Sequence, residues 1–340
     1  MIRNFRPFGK DAGNVYGGPG LEWLPTGLYS GRSIPVVKSL YPLWDQKNLA
    51  RDVEAGRYFL PNTATGERET IVTSTLNAEP QYLQRMPAPS GWHVWGAVFT
   101  AAFFLLLTVQ AYPASVVCGV LAVYCLMHWC WLLDRPRIEP TVDVGGGVEL
   151  PTYVSGPSSH GWWAMLITLI VAGMVGALLG FSYVFLWSRQ PESWAPPPDL
   201  PLLAPVLAAY AGAGLLAWAS CRTLRLDRPR TPAFATAMML AAVALAGAGW
   251  GMDLDHWLAT GLRPEVNAQG ATVYALIGWQ GFFVAVSGLM GLYALLRWLA
   301  GHVEAARPTT FDLIGLFLAF TAAQGGGSVL LTRLFPGAAM

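Results

Sequence analysis

Beyond residue 90 the chain alternates between long apolar runs and short polar breaks. A helix needs roughly 20 apolar residues to cross the hydrocarbon core of a bilayer. Seven runs qualify: 91–110, 113–133, 161–187, 202–222, 232–252, 270–298 and 311–332. The first two make a hairpin broken at "QAYPAS", where Pro113 lacks the donor that a continuing helix would need. The longest internal break, "DRPRIEPTVDVGGGVELPTYVSGPSSH" over 134–160, is punctuated by Pro and Gly and has no apolar periodicity, so the spans divide two plus five. Ahead of them lies a polar segment that includes "GLEWLPTGLYSGRSIPVVKSLYPLWD" (20–45), too rich in Pro and Gly for a helix and too aromatic for an ordinary disordered tail. The pattern predicts an all-α polytopic membrane protein in four parts. These are a mostly irregular segment over 1–90, a two-helix hairpin over 91–133, a linker over 134–160 and a five-helix bundle over 161–335.

Composition agrees with this picture and orients it. Of 340 residues, 54% are hydrophobic and 12% charged, and the mean hydropathy is +0.42. The charge is uneven, because residues 1–90 carry all three lysines (Lys10, Lys38, Lys47) and ten of the 21 basic residues. Arg135 and Arg137, then Arg222, Arg225, Arg228 and Arg230, then Arg297 and Arg307 follow the second, fourth and sixth spans. The alternate connections and the carboxyl tail hold Arg189, Arg263 and Arg333. Basic residues collect on the cytoplasmic side, which predicts a cytoplasmic amino terminus and an external carboxyl terminus. Trp92, Trp95, Trp162, Trp163, Trp187, Trp250, Trp257 and Trp298 flank span ends, where an indole suits the headgroup layer. The first twenty residues have no apolar core, so no signal peptide is read. No basic stripe interleaved with aromatics suggests nucleic acid.

Within lipid, close helix contact relies on small residues. Gly176 and Gly180, Gly247 and Gly251, the set Gly278, Gly281, Gly288 and Gly291, and "QGGGS" at 324–328 are read as packing positions. Chemistry is sparse. Asp253 and Asp255 are placed at the outer end of the fifth span, Asp312 and Arg297 at inner ends, and only His128 within a span. Gln110, Gln280 and Gln324 are polar but do not titrate, so no proton relay is drawn. In "CLMHWC", Cys125 and His128 share a helix face while Cys130 lies about 140° from Cys125, too few converging ligands for zinc. All four cysteines (Cys118, Cys125, Cys130, Cys221) are read as packing residues. "MDLDHW" at 252–257 reads as a solvated external turn containing His256, without the spacing of a calcium loop. The Gly-rich pieces lack G-x-x-x-x-G-K-[ST], and no G-x-S-x-G occurs, so no catalytic, cofactor-binding or metal site is assigned to the chain.

"LEW" at 21–23, "IPVV" at 34–37 and "PLWD" at 42–45 recur in the order found in the cytoplasmic carboxyl-terminal tail of subunit I of heme-copper cytochrome oxidases, which this segment resembles. "GFSYVFLWSRQPESWAPP" (180–197) resembles the end of the third helix of oxidase subunit III and the loop after it, and "GATVYALIGWQGFFVAVSGLMGLYALLR" (270–297) resembles the sixth span. Gln280 and Phe283 stand where that family keeps two histidines, and Met174 where it keeps a membrane carboxylate, so no role is carried over to them. The resemblance implies the carboxyl-terminal part of a fused subunit I–III polypeptide, or of a split gene, in a bacterial inner membrane. It implies heme and copper in the subunit I region, contact with subunits I and II, phospholipid held between the two helix groups, and support of proton uptake without catalysis of its own. A stand-alone transporter or channel, and a respiratory-chain assembly scaffold, are the alternatives.

Overall fold

A computed structural model describes residues 13–24, 33–61, 63, 68–86, 90–133, 140–145, 147–195, 203–226 and 228–335. Lys10, Arg135, Arg137, the opening "RNFRPFGKDA" and most of "TGLYSGRS" lie outside the described residues. Among the described residues are nine α-helices, six of them long and apolar enough to cross a membrane. The chain is an all-α, multi-pass membrane protein with two small β-hairpins outside the long helices. It divides into two compact units, Met1–Tyr153 and Val154–Met340.

The first unit opens with a 3-10 turn at Leu21–Trp23 and two short helices, α1 (Pro42–Asp45) and α2 (Leu49–Glu54). These enclose a small apolar cluster of Leu24, Leu49 and Val53, with Leu21, Leu43 and Tyr58 against it. The described part of the segment thus combines short regular elements with irregular chain packed on that cluster. Strands β1 (Arg68–Thr73) and β2 (Pro80–Met86) pair antiparallel, in a β-branched stretch whose polar residues obscure the alternation. A second short ladder, β3 (Thr141–Asp143) with β4 (Glu149–Pro151), lies in the expected linker, and β4 packs beside β2.

Helices α3 (Trp92–Thr108) and α4 (Tyr112–Leu133) form the expected antiparallel hairpin. The chain reverses through Gln110, which takes a left-handed backbone (φ 60°). Pro113 sits in the first turn of α4, where its missing donor costs nothing. The helices touch closely, Gly119 against the ring of Phe103 and Gly96 against Leu126, and the Ser115 hydroxyl donates to Phe103 O at 3.0 Å. At 17 residues α3 spans roughly 25 Å, at the lower end of the length that crosses a bilayer.

The second unit is a bundle of α5 (His160–Arg189), α6 (Leu203–Leu224), α7 (Thr231–Ala259), α8 (Ala268–Leu299) and α9 (Thr309–Leu334). Ser159 caps α5 by accepting from Trp162 N, and Asn267 caps α8 by accepting from Gly270 N. The centre is built on alanine rows, Ala213 and Ala217 on α6 against Ala235, Ala242 and Ala246 on α7, closed by Met239, Ile314 and Leu318. Small side chains let the backbones approach, as helix association in lipid requires. Of the glycines singled out by spacing, Gly180 meets Leu331, Gly281 lies under the ring of Trp250 and Gly291 meets Val243, whereas Gly251, Gly278 and Gly288 face open space. Helix α7 runs seven residues past 252, so "MDLDHW" is its last two turns and not an external loop. The two carboxylates imitate a loop in sequence, but Asp253 and Trp257 are buried by their partners in the bundle.

Candidate functional site

The most polar part of the bundle interior lies among α6, α7, α8 and α9. Arg333, one residue before the end of α9, points inward and is 1% exposed. Its Nη2 donates to Asp253 Oδ1 on α7 at 2.7 Å, and its Cζ stands 5.4 Å from the ring centre of Trp257. A guanidinium held between a carboxylate and an aromatic face combines a charge-assisted hydrogen bond with a cation–π contact.

Farther along the bundle, Gln280 of α8 is buried and donates through Nε2 to Thr321 O at 2.9 Å. Its Oε1 accepts from Gln324 Nε2 on α9 at 3.3 Å. The carbonyl of Thr321 thus accepts from a side chain of a neighbouring helix, while Thr321 Oγ1 turns back to Phe317 O at 2.8 Å. Between the glutamine pair and the ion pair lies a cavity of about 10 Å³, walled on its polar side by Tyr210, Asp253, Gln280, Ser328 and Thr332. Gly325 is what permits this approach: a Cβ there would lie 2.5 Å from both Gln280 Nε2 and Tyr210 Cε1. Trp250 braces the wall by donating Nε1 to Ile277 O at 3.0 Å.

At the end of α7 and the start of α8, a shallow pocket of about 260 Å³ is lined by Trp257, Thr260, Arg263, Asn267 and Gln269, among others. Gln269 clamps the chain opposite, donating Nε2 to Ala195 O at 3.0 Å and accepting from Ala195 N at 2.9 Å.

The structure brings Asp253, Gln280 and Gln324 together and leaves the other polar candidates apart. Asp255 is exposed on the last turns of α7. Asp312 binds Arg225 at 2.8 Å near the opposite end of α9. Phe283 packs on Phe317 and Phe320, and Met174 faces outward at 63% exposure. In the hairpin unit, His128 is enclosed by Trp92 and Tyr124, at centroid distances of 4.4 and 5.9 Å. Cys125 is buried and Cys130 exposed. No three His, Cys, Asp or Glu side chains converge as a metal site among the described residues. Tyr210 and Arg333 carry no signal as members of a site in the sequence. The available hint is that a lone arginine inside an apolar helix end needs a carboxylate facing it.

Chemically, the cluster joins one balanced ion pair to neutral amides and hydroxyls. It suits helix clamping and the holding of a small polar molecule. No protein-family model matches the chain, and no curated protein does.

Proposed function

We propose that this chain is a non-catalytic, subunit III-like part of a respiratory heme-copper oxidase complex, led by a subunit I-like tail. The carrying observation is that the three ordered signatures belong to one small folded patch. Leu21 of "LEW" and Leu43 of "PLWD" pack on the same cluster. Trp44 Nε1 donates to Gly17 O at 2.8 Å, and Ile34 N of "IPVV" donates to Tyr58 O at 3.1 Å. The patch leaves Val36, Leu40, Tyr41 and Trp44 exposed, from 52% to 88%. Such an apolar and aromatic face fits burial against another subunit.

In this reading α3 crosses the bilayer with α4, against which it packs, giving seven spans arranged two plus five. The distribution of Lys and Arg supports a cytoplasmic amino terminus and an external carboxyl terminus, in a bacterial inner membrane on this reading. Subunit I, fused upstream or separate, holds heme and copper, with subunit II completing the core. The chain braces that core, holds phospholipid and supports proton uptake, while electron transfer to oxygen and proton pumping belong to the complex. The test is spectroscopic: the chain purified alone carries no heme absorbance, and gains it when co-purified with its partner. Heme bound to the isolated chain overturns the proposal.

The buried Asp253–Arg333 pair favours one competing reading, a transporter or channel, because ionisable groups inside a bundle often mark ion paths. Proteoliposomes separate the two. The oxidase reading expects no ion or proton flux from the chain alone, whereas a flux abolished by Asp253→Asn supports transport.

A further inference from the structure

The cavity between the ion pair and the glutamine pair measures about 10 Å³, room for one water molecule. Its walls offer both kinds of hydrogen-bonding group. Asp253 and the Thr332 oxygen accept, since the Thr332 hydroxyl proton is already given to Ser328 O at 3.0 Å. The Ser328 hydroxyl donates or accepts, and the Tyr210 hydroxyl, itself hydrogen-bonded by the Gln280 amide, donates its proton into the cavity and links it to Gln280.

Charge decides the occupant. Arg333 already balances Asp253, so a metal or ammonium cation here would leave a net positive charge in the bundle. An anion would face the Asp253 carboxylate. A neutral molecule that both donates and accepts meets neither penalty, and only water is small enough.

We propose that this cavity binds one structural water that joins Asp253–Arg333 to Gln280–Gln324. With it, the four helices α6 to α9 share one hydrogen-bonded network, from the carboxyl-terminal end of α9 to the middle of α8. The apolar layer of Phe283, Phe317 and Phe320 lies next to Gln280 along α8 and α9, so the network is a closed clamp and not a through-path. The site does not depend on the complex in which the chain works.

Hydroxyl-radical labelling by short X-ray pulses, read by mass spectrometry on the full chain, tests the proposal, because radicals formed from a bound water attack the side chains that line it. Tyr210 and Tyr183 are buried alike, at 2% and 0% exposure, but the Tyr183 hydroxyl is closed off by its bond to Phe335 O at 2.8 Å and does not line the cavity. Labelling of Tyr210 several-fold faster than that of Tyr183 is the expected result. Equal rates overturn the proposal. Ser328→Val fills the cavity and lowers Tyr210 labelling to the Tyr183 level. If that variant fails to fold, the wild-type comparison decides alone.

Discussion

Arg333 and Asp253 meet at 2.7 Å inside the bundle, eighty residues apart in sequence, with side chains 1% and 10% exposed. Near the other end of the same helix, Asp312 meets Arg225 at 2.8 Å, and there the arginine is 48% exposed. Helix α9 is therefore tied at both ends by carboxylate–guanidinium pairs whose carboxylates are both largely buried, while of the two arginines only Arg225 reaches solvent.

The buried pair resists the loss of either member alone. Arg333→Ala or Asp253→Ala strands a charge in a buried site and lowers unfolding stability by about 3–5 kcal/mol. The double variant Asp253→Leu/Arg333→Met removes both charges and recovers most of that loss. Unfolding of the four proteins in detergent checks this, and losses that simply add would contradict it.

The half-exposed pair behaves differently with salt. Arg225→Ala takes the cation from an Asp312 carboxylate that is only 8% exposed, but Arg225 itself is half in solvent, so the loss is about 1–3 kcal/mol, below that of Arg333→Ala. At 1 M salt, where the Debye length is about 3 Å, that difference narrows, while the deficit of Arg333→Ala persists. Thermal unfolding at low and high salt separates the two ends of α9.

Gly325 and Gly327 stand two residues apart in "QGGGS" with opposite surroundings. Gly325→Ala drives a methyl group into Gln280 and Tyr210 and destabilises by about 1–3 kcal/mol. Gly327 has nothing within 4 Å of a built Cβ, so Gly327→Ala is neutral or stabilising by up to about 1 kcal/mol. Matched melting curves distinguish the positions.

The long helices were legible because a run of apolar residues has one solution in lipid: satisfy its backbone internally. The site was less so. Asp253 and Asp255 look equivalent in "MDLDHW", yet one is buried against Arg333 and the other exposed, and only the rotation of α7 against α9 separates them. Gln280 and Gln324 were visible as polar residues in apolar runs, but their pairing needs the α8–α9 register. Gly325 looked like one of many packing glycines until the Tyr210 ring stood over it. The fold of 13–86 was obscured for another reason: its apolar residues are few and spread over distant short elements.

Orientation is open to chemical labelling. Lys38 and Lys47 are exposed, and every lysine lies within residues 1–90. An impermeant amine reagent is expected to label the chain in inverted inner-membrane vesicles and not in right-side-out ones. Labelling from outside would reverse the assigned topology.

The central claim is tested most directly by isolating the tagged full chain from its own membranes in mild detergent and recording the reduced-minus-oxidised spectrum with the copper content. The account predicts heme and copper in fixed ratio to the chain, carried by a polypeptide outside residues 1–340. Recovery of the folded chain from its own membranes with no heme- or copper-bearing polypeptide beside it would contradict it.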